Sequence, residues 1–344
     1  MKERIQAFFP MALILAFFTT IAIVLGKTTG SLFYLMNFLI IGTCIALGMG
    51  LWPILPLNRK GVAHKVSQIL VGGYMFFGLG FGLVYLAFGF IMPENMQIEG
   101  FWLWLFSGVF QAAVIHYLIA KILGPLIFGR GWCGWACWTV AVLDLLPWKK
   151  SPGRLARRWE HLRYLSFALS FALMSVLVFG MNHSLKQHVG ILPLSTSVPE
   201  DIPAYSHLIQ IPELWWFLAG NLVYYAAGIL IAAITRDNRA FCKYLCPVAP
   251  FLKLGSRFSV LKIRPDPHLC TDCRKCERRC PMDIHITSYV QENSRVTSSE
   301  CIICQSCVSS CPKRALSISM GFDGSFKDRL MRKRKPAALS STPD

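Results

Sequence analysis

A bundle of about six membrane-spanning α-helices followed by a small C-terminal α+β domain is the fold class that this sequence predicts. Three observations predict it. The 344-residue chain is 54% hydrophobic with a mean hydropathy of +0.47, and several apolar stretches approach the ~20 residues that cross a bilayer. The net charge of +17 is concentrated in the segments that flank those stretches, which is the pattern of membrane topology rather than of a nucleic-acid-binding face. Finally, the last quarter is polar and carries eight cysteines in two identical runs.

In chain order, the first span is expected over 8–26. The charged start Met1-Lys2-Glu3-Arg4 resembles a signal peptide, but no small-residue cleavage site follows, so the segment reads as a retained helix. The second span covers about 32–55 and ends near Pro53 and Pro56, and Arg59, Lys60 and Lys65 make the next loop basic. The third runs about 67–92, rich in glycine and aromatics that allow close helix packing. A short acidic loop, 93–99, leads to the fourth, about 101–123, which ends with Lys121. After a cysteine-bearing segment to Trp148 comes a strongly basic loop with Lys149, Lys150, Arg154, Arg157, Arg158 and Arg163. The fifth span, about 164–182, and the sixth, about 213–234, flank a longer loop holding Glu200 and Asp201, and Trp215-Trp216 suits an interfacial anchor. With the N-terminus inside, the basic loops fall on one side and little beyond Lys27 and Lys186 on the other. This asymmetry predicts a multi-pass protein of the cell (inner) membrane with both termini cytoplasmic.

Beyond the spans, residues 1–258 form the membrane domain, 259–322 the small domain and 323–344 a basic tail read as disordered. Val260 to Arg264 and Leu316 to Met320 alternate in hydropathy like two short strands expected to pair. Between them, Cys270, Cys273, Cys276 and Cys280 precede Pro281, and Cys301, Cys304, Cys307 and Cys311 precede Pro312. Each set is C-x2-C-x2-C-x3-C-P, the ligand spacing of two-cluster ferredoxins, in which the fourth cysteine of each run serves the other cluster. Cys270, Cys273, Cys276 and Cys311 are therefore assigned to one [4Fe-4S] cluster, and Cys301, Cys304, Cys307 and Cys280 to the second. Zinc sites use pairs of C-x2-C units, and disulfides need an oxidising compartment.

Four more cysteines form a second pattern. Arg130-Gly131-Trp132-Cys133-Gly134-Trp135-Ala136-Cys137 and Arg239-Ala240-Phe241-Cys242-Lys243-Tyr244-Leu245-Cys246 share an Arg three residues before the first Cys, an aromatic one before it and the spacing C-x3-C. Each follows a span at its inner end, and helical spacing would put both sulfurs on one face. Four such sulfurs suit a third cluster or another metal, redox thiols or packing; arginine neighbours favour thiolate. Cys44, inside an apolar stretch, reads as a packing residue. His116, within the fourth span, is a candidate quinone contact, with an interhelical hydrogen bond as the plainer reading. Haem would need a second histidine at matching depth. Asp144 is expected to pair with a basic residue nearby or to relay protons. No phosphate loop, dinucleotide fingerprint or hydrolytic triad is present, and no nucleic-acid partner is expected.

The membrane C-x3-C-P at Cys242–Pro247, its partner pair at Cys133 and Cys137, and the double ferredoxin run together resemble the NapH/NosR/CcoG-type polyferredoxin membrane proteins over roughly residues 66–320. Trp138 stands where that family often has proline, and six spans exceed the four of its smaller members. The resemblance implies electron transfer at the membrane, linked to quinone and to a redox partner protein, with the chain acting as an electron carrier or as a subunit of an oxidoreductase. It also implies an alternative: an assembly or maturation factor for a respiratory metalloenzyme, with the paired cysteines handling metal or thiols.

Overall fold

A computed structural model describes residues 2–30, 32–56, 59–88, 95–110, 112–182, 208–209, 212–324 and 326–331. Most of the loop expected over 183–212, including His183, His188, Glu200 and Asp201, and the basic run from Arg332 onward lie outside the described residues. The described chain is almost entirely helical before residue 257 and mixed after it.

Four helices are long and apolar enough to cross a membrane: Phe8–Thr29, Leu32–Ile54, Arg157–Gly180 and Glu213–Thr235. In three of them only 17%, 22% and 22% of the most apolar window is buried by protein. Leu169, Leu222, Val223 and Ile234 are all more than half exposed. Apolar side chains on the outside of helices of this length suit contact with lipid. The first two helices pack along their length as an antiparallel pair. Gly42 makes that closeness feasible, since a Cβ there would lie 2.4 Å from the Phe18 Cβ.

The two remaining predicted spans differ from expectation. In place of a helix over 67–92, the chain is helical from Gly61 to Gly73, continues as a π-helix over Tyr74–Gly80, breaks at Gly82 (φ +83°) and resumes over Leu83–Phe88. The span expected over 101–123 is split. Ile98–Phe106 ends at Gly108 (φ +70°), and a second helical stretch runs from Ala112 through a π-turn to Phe128. A left-handed glycine cannot continue a helix, and Ser107-Gly108 supplies the break. Part of the acidic loop expected over 93–99 is packed into the protein. Asn95, Met96 and Gln97 are buried, and Glu99 accepts a 2.6 Å hydrogen bond from Tyr224.

In the C-terminal part, β1 (Leu261–Pro265) and β2 (Leu316–Met320) pair antiparallel with Ile263 opposite Ile318, as the alternation predicts. Between the strands lie three short helices, Lys275–Arg278, Ile286–Gln291 and Ser306–Ser310. The core beneath them joins Ile263, Met282, Ile284, Ile302 and Leu316 to Cys133 of the helical part, so the two parts share one apolar cluster.

Candidate iron–sulfur centres

The 31-residue sequence repeat of the small domain is also a backbone repeat. Asp272, Arg274 and Asp283 have φ of 47°, 53° and 52°, and Ile303, Gln305 and Arg314, each 31 positions later, have φ of 48°, 58° and 52°. Left-handed residues at fixed offsets curl each cysteine loop so that its amides face inward, the geometry of an anion-binding nest. Ile284 donates its amide to Cys280 Sγ at 3.5 Å, and Ala315 does so to Cys311 Sγ at 3.3 Å. Amide donors to sulfur are among the means by which a protein sets cluster potential.

The side chains meet in two groups. Cys270, Cys273, Cys276 and Cys311 line a cavity of about 380 Å³. Cys280, Cys301, Cys304 and Cys307 line another of about 370 Å³. These are the groupings in which the last cysteine of each run joins the other run. None of the 13 cysteines of the chain forms a disulfide. Among the described residues no three His, Cys, Asp or Glu side chains close around a single metal ion. Each quartet instead surrounds a space, which suits a four-cornered cluster better than one zinc ion. Burial pushes the Cys276 and Cys280 thiols up to about 12 and Cys301 up to about 11. Ligation of such thiols therefore displaces protons. Cys273 is the exposed member, and its thiol is lowered by the Lys275 amide.

A third cavity, of about 640 Å³, is lined by Cys133, Cys137, Cys242 and Cys246 together. The two C-x3-C segments are not helical throughout, as the one-face argument supposed. The helices Gly131–Trp135 and Ala240–Tyr244 end between the cysteines. In both, the carbonyl of the aromatic before the first cysteine accepts two amides. Trp132 takes those of Ala136 and Cys137 at 3.0 and 3.1 Å, and Phe241 those of Leu245 and Cys246, both at 2.9 Å. The matched arginines cross over. Arg130 donates to the Cys242 carbonyl at 3.5 Å, and Arg239 to the Cys133 carbonyl at 3.1 Å. The two repeats thus interlock, each arginine bracing the other repeat's cysteine backbone.

Both pairs follow helix ends, at Phe128 and at Thr235, but the first turns back alongside other helices. Trp138 packs on Gly72 and donates to Asn221 Oδ1 at 3.1 Å. At 1.5 Å per residue, Gly72 lies about 17 Å from the start of its helix at Gly61, and Asn221 about 21 Å from the end of its own at Thr235. The four-cysteine cavity is sunk within the helical part.

Charge is disposed around it in two buried groups. Asp144 pairs with Arg239 through both oxygens, at 2.8 and 2.6 Å. Glu300, adjacent to Cys301, is fully buried among Arg130, Arg163 at 2.8 Å, Lys253 at 2.8 Å and Arg154 at 3.3 Å. Burial pushes the Glu300 carboxyl up, but the four cations outweigh it and hold it well below the usual carboxylate range. Glu300 was not singled out from sequence, although its position next to a cluster-type cysteine was a usable signal. His116 is buried against Trp132, and neither ring nitrogen has a hydrogen-bond partner among the described residues. The interhelical hydrogen bond expected of it is therefore not seen, and it does not line the four-cysteine cavity.

The second and third cavities are neighbours. A Cβ on Gly134 would lie 2.3 Å from the Ile302 carbonyl oxygen, and Trp135 Nε1 donates to the Ile303 carbonyl at 2.9 Å. The first C-x3-C loop thus rests directly on the Cys301–Cys304 loop.

Comparison with known proteins agrees with this layout. Residues 262–312 match a family described as a 4Fe-4S dicluster domain, and residues 112–159 and 221–265, which contain the two C-x3-C pairs, each match a 4Fe-4S binding domain. An uncharacterized protein of Methanocaldococcus jannaschii is 25% identical over 76% of this chain and 89% of its own length. The putative electron transport protein YccM of Escherichia coli is 28% identical over 59% of this chain, which spans only 54% of YccM. The ferredoxin-type protein NapH of Escherichia coli is 23% identical over 62% of this chain and 70% of its own. No solved structure matches. With cysteine-bearing helical repeats and a dicluster domain in this order, the chain is similar to the NapH/NosR-type polyferredoxin membrane proteins.

Proposed function

We propose that this protein transfers single electrons between the membrane and a cytoplasmic redox partner. On the membrane side it would exchange electrons with a membrane partner or the quinone pool. The observation that carries the reading is the set of three cysteine quartets, each lining its own cavity, with the loops of the second and third in contact. The donor sets fit iron–sulfur clusters, since thiolate is the soft ligand that they require. Cys270, Cys273, Cys276 and Cys311 would hold the outer cluster, Cys280, Cys301, Cys304 and Cys307 the middle one, and Cys133, Cys137, Cys242 and Cys246 a third. Bound clusters supply reversible one-electron chemistry.

The chain's own residues do the rest. Arg130 and Arg239 brace the cysteine carbonyls of the inner quartet. Trp135 and Gly134 hold the loops of the inner and middle quartets together. Cys273 brings the outer quartet to the surface, where a partner could approach. The positive-inside charge pattern supports a cytoplasmic position for that surface.

Iron and acid-labile sulfide analysis of the purified full-length protein tests the proposal. About twelve irons per chain are expected for three clusters, against about eight for two. A Cys133→Ser, Cys242→Ser variant should lose the excess and keep the remainder. A content near eight in the unmodified protein would reduce the C-x3-C pairs to thiols or packing residues.

A further inference from the structure

A lysine near the end of an apolar helix normally turns its ammonium toward water. Lys121 does the reverse. It is 4% exposed, its Nζ lies 3.7 Å from the centre of the Trp132 ring, and it lines the cavity of Cys133, Cys137, Cys242 and Cys246. No carboxylate pairs with it among the described residues, and the cavity lining contains no Asp or Glu. An unpaired buried ammonium costs far more than a cation–π contact returns. Its compensation has to come from the cavity, and the groups there able to carry negative charge are the cysteines.

The other cations near the quartet are already committed. Arg130 is hydrogen-bonded to the buried Glu300, a carboxylate it shares with Arg154, Arg163 and Lys253, and Arg239 is held by both oxygens of Asp144. Lys121 is the cation of the cavity wall whose charge is not spent on a carboxylate. We infer that Lys121 is the internal counter-ion of the four-cysteine centre and raises its reduction potential. This rests on the reading that the quartet binds a cluster. The physics is direct: reduction adds negative charge, and a fixed positive charge beside it favours the reduced form. Trp132, the residue before Cys133, keeps the ammonium in place. Lys121 is thus a positioning residue, acting on the potential without ligating.

The test is an EPR-monitored redox titration of the full-length, cluster-loaded protein. The signal to follow is the one lost in the Cys133→Ser, Cys242→Ser variant. In Lys121→Gln the reduced-to-oxidised ratio of that signal at fixed potential should fall at least tenfold, about 59 mV for a one-electron couple. The two ferredoxin signals should stay where they are, and Lys121→Arg should restore the inner signal toward its original potential. An unmoved potential at unchanged iron content overturns the inference and leaves the third cluster standing. An unmodified protein with about eight irons and no third signal overturns the cluster reading itself. Should Lys121→Gln fail to retain the centre, Lys121→Arg decides: retention at the original potential supports a requirement for charge, and loss in both variants makes the lysine structural.

Discussion

Ile303 holds φ at 48°, a left-handed conformation that is rare for a β-branched residue. Strain of this kind costs of order 1–3 kcal/mol and persists only where surroundings enforce it. Here Trp135 does so, donating its indole N–H to the Ile303 carbonyl. The other side of the contact is Gly134, where any side chain would meet the Ile302 carbonyl. Gly134→Ala should therefore cost about 1–3 kcal/mol through overpacking, read as a lower thermal midpoint in detergent. The iron of the outer quartet, which Gly134 does not touch, should be retained. From the sequence, Gly134 and Trp135 were only fillers of a C-x3-C pair. Their importance lies in a contact across 168 positions, which no local pattern reports.

At the scale of elements, one buried carboxylate of the small domain gathers cations from the helical part. Glu300 draws Arg130, Arg154 and Arg163 from three separate segments and Lys253 from a fourth. Breaking a buried ionic cluster by removing one partner costs about 3–5 kcal/mol, because the remaining charges stay buried and uncompensated. Glu300→Gln should accordingly make the linker near residue 257 sensitive to limited proteolysis. The pH dependence follows from the depressed carboxyl. A lowered folded pKa contributes stability above the unfolded value, about 4.3, that is lost only as pH falls through the folded value. The unmodified protein should therefore resist cleavage equally from about pH 8 to pH 5, and a rise in cleavage within that window would contradict the assignment. The same elements show where sequence periodicity fails. Predicted spans three and four are apolar enough, but Gly82 and Gly108 take positive φ and break them. Composition alone cannot tell a glycine that packs helices from one that ends them.

For the whole molecule, the exposed Cys273 edge is framed by Arg274, Lys275, Arg278, Lys313 and Arg314, all exposed, against an acidic neighbour, Asp272, 3.6 Å from Arg274. A surface of one sign steers an oppositely charged partner, and salt screens the effect beyond about 8 Å at physiological strength. Oxidation of the reduced protein by the anion ferricyanide should slow as salt is raised. Charge reversal at Lys275 and Arg278 should weaken that salt dependence, and a salt-independent rate would remove this edge as the exit. The orientation itself is checked by labelling Cys273→Ser against unmodified apo-protein with a membrane-impermeant maleimide. Label that depends on Cys273 is expected in inverted vesicles and not in intact cells.

The sequence by itself determined which cysteines form patterns: two ferredoxin-type runs and a matched pair of C-x3-C segments. Twelve thiols at ligand spacing, apolar stretches of bilayer length and basic flanks are local facts, and local facts are what a linear chain displays. It also marked Arg130 and Arg239 as a matched pair, because the repeat is written in neighbouring positions. Only the tertiary structure decided which charges are free. Arg239 finds Asp144 across 95 positions and Arg130 finds Glu300 across 170, so each has a carboxylate partner. Lys121, which looked like the end of a span, turns inward to the cysteines instead. The physical reason is that burial and pairing are properties of packed surfaces, and the energy of a charge depends on both.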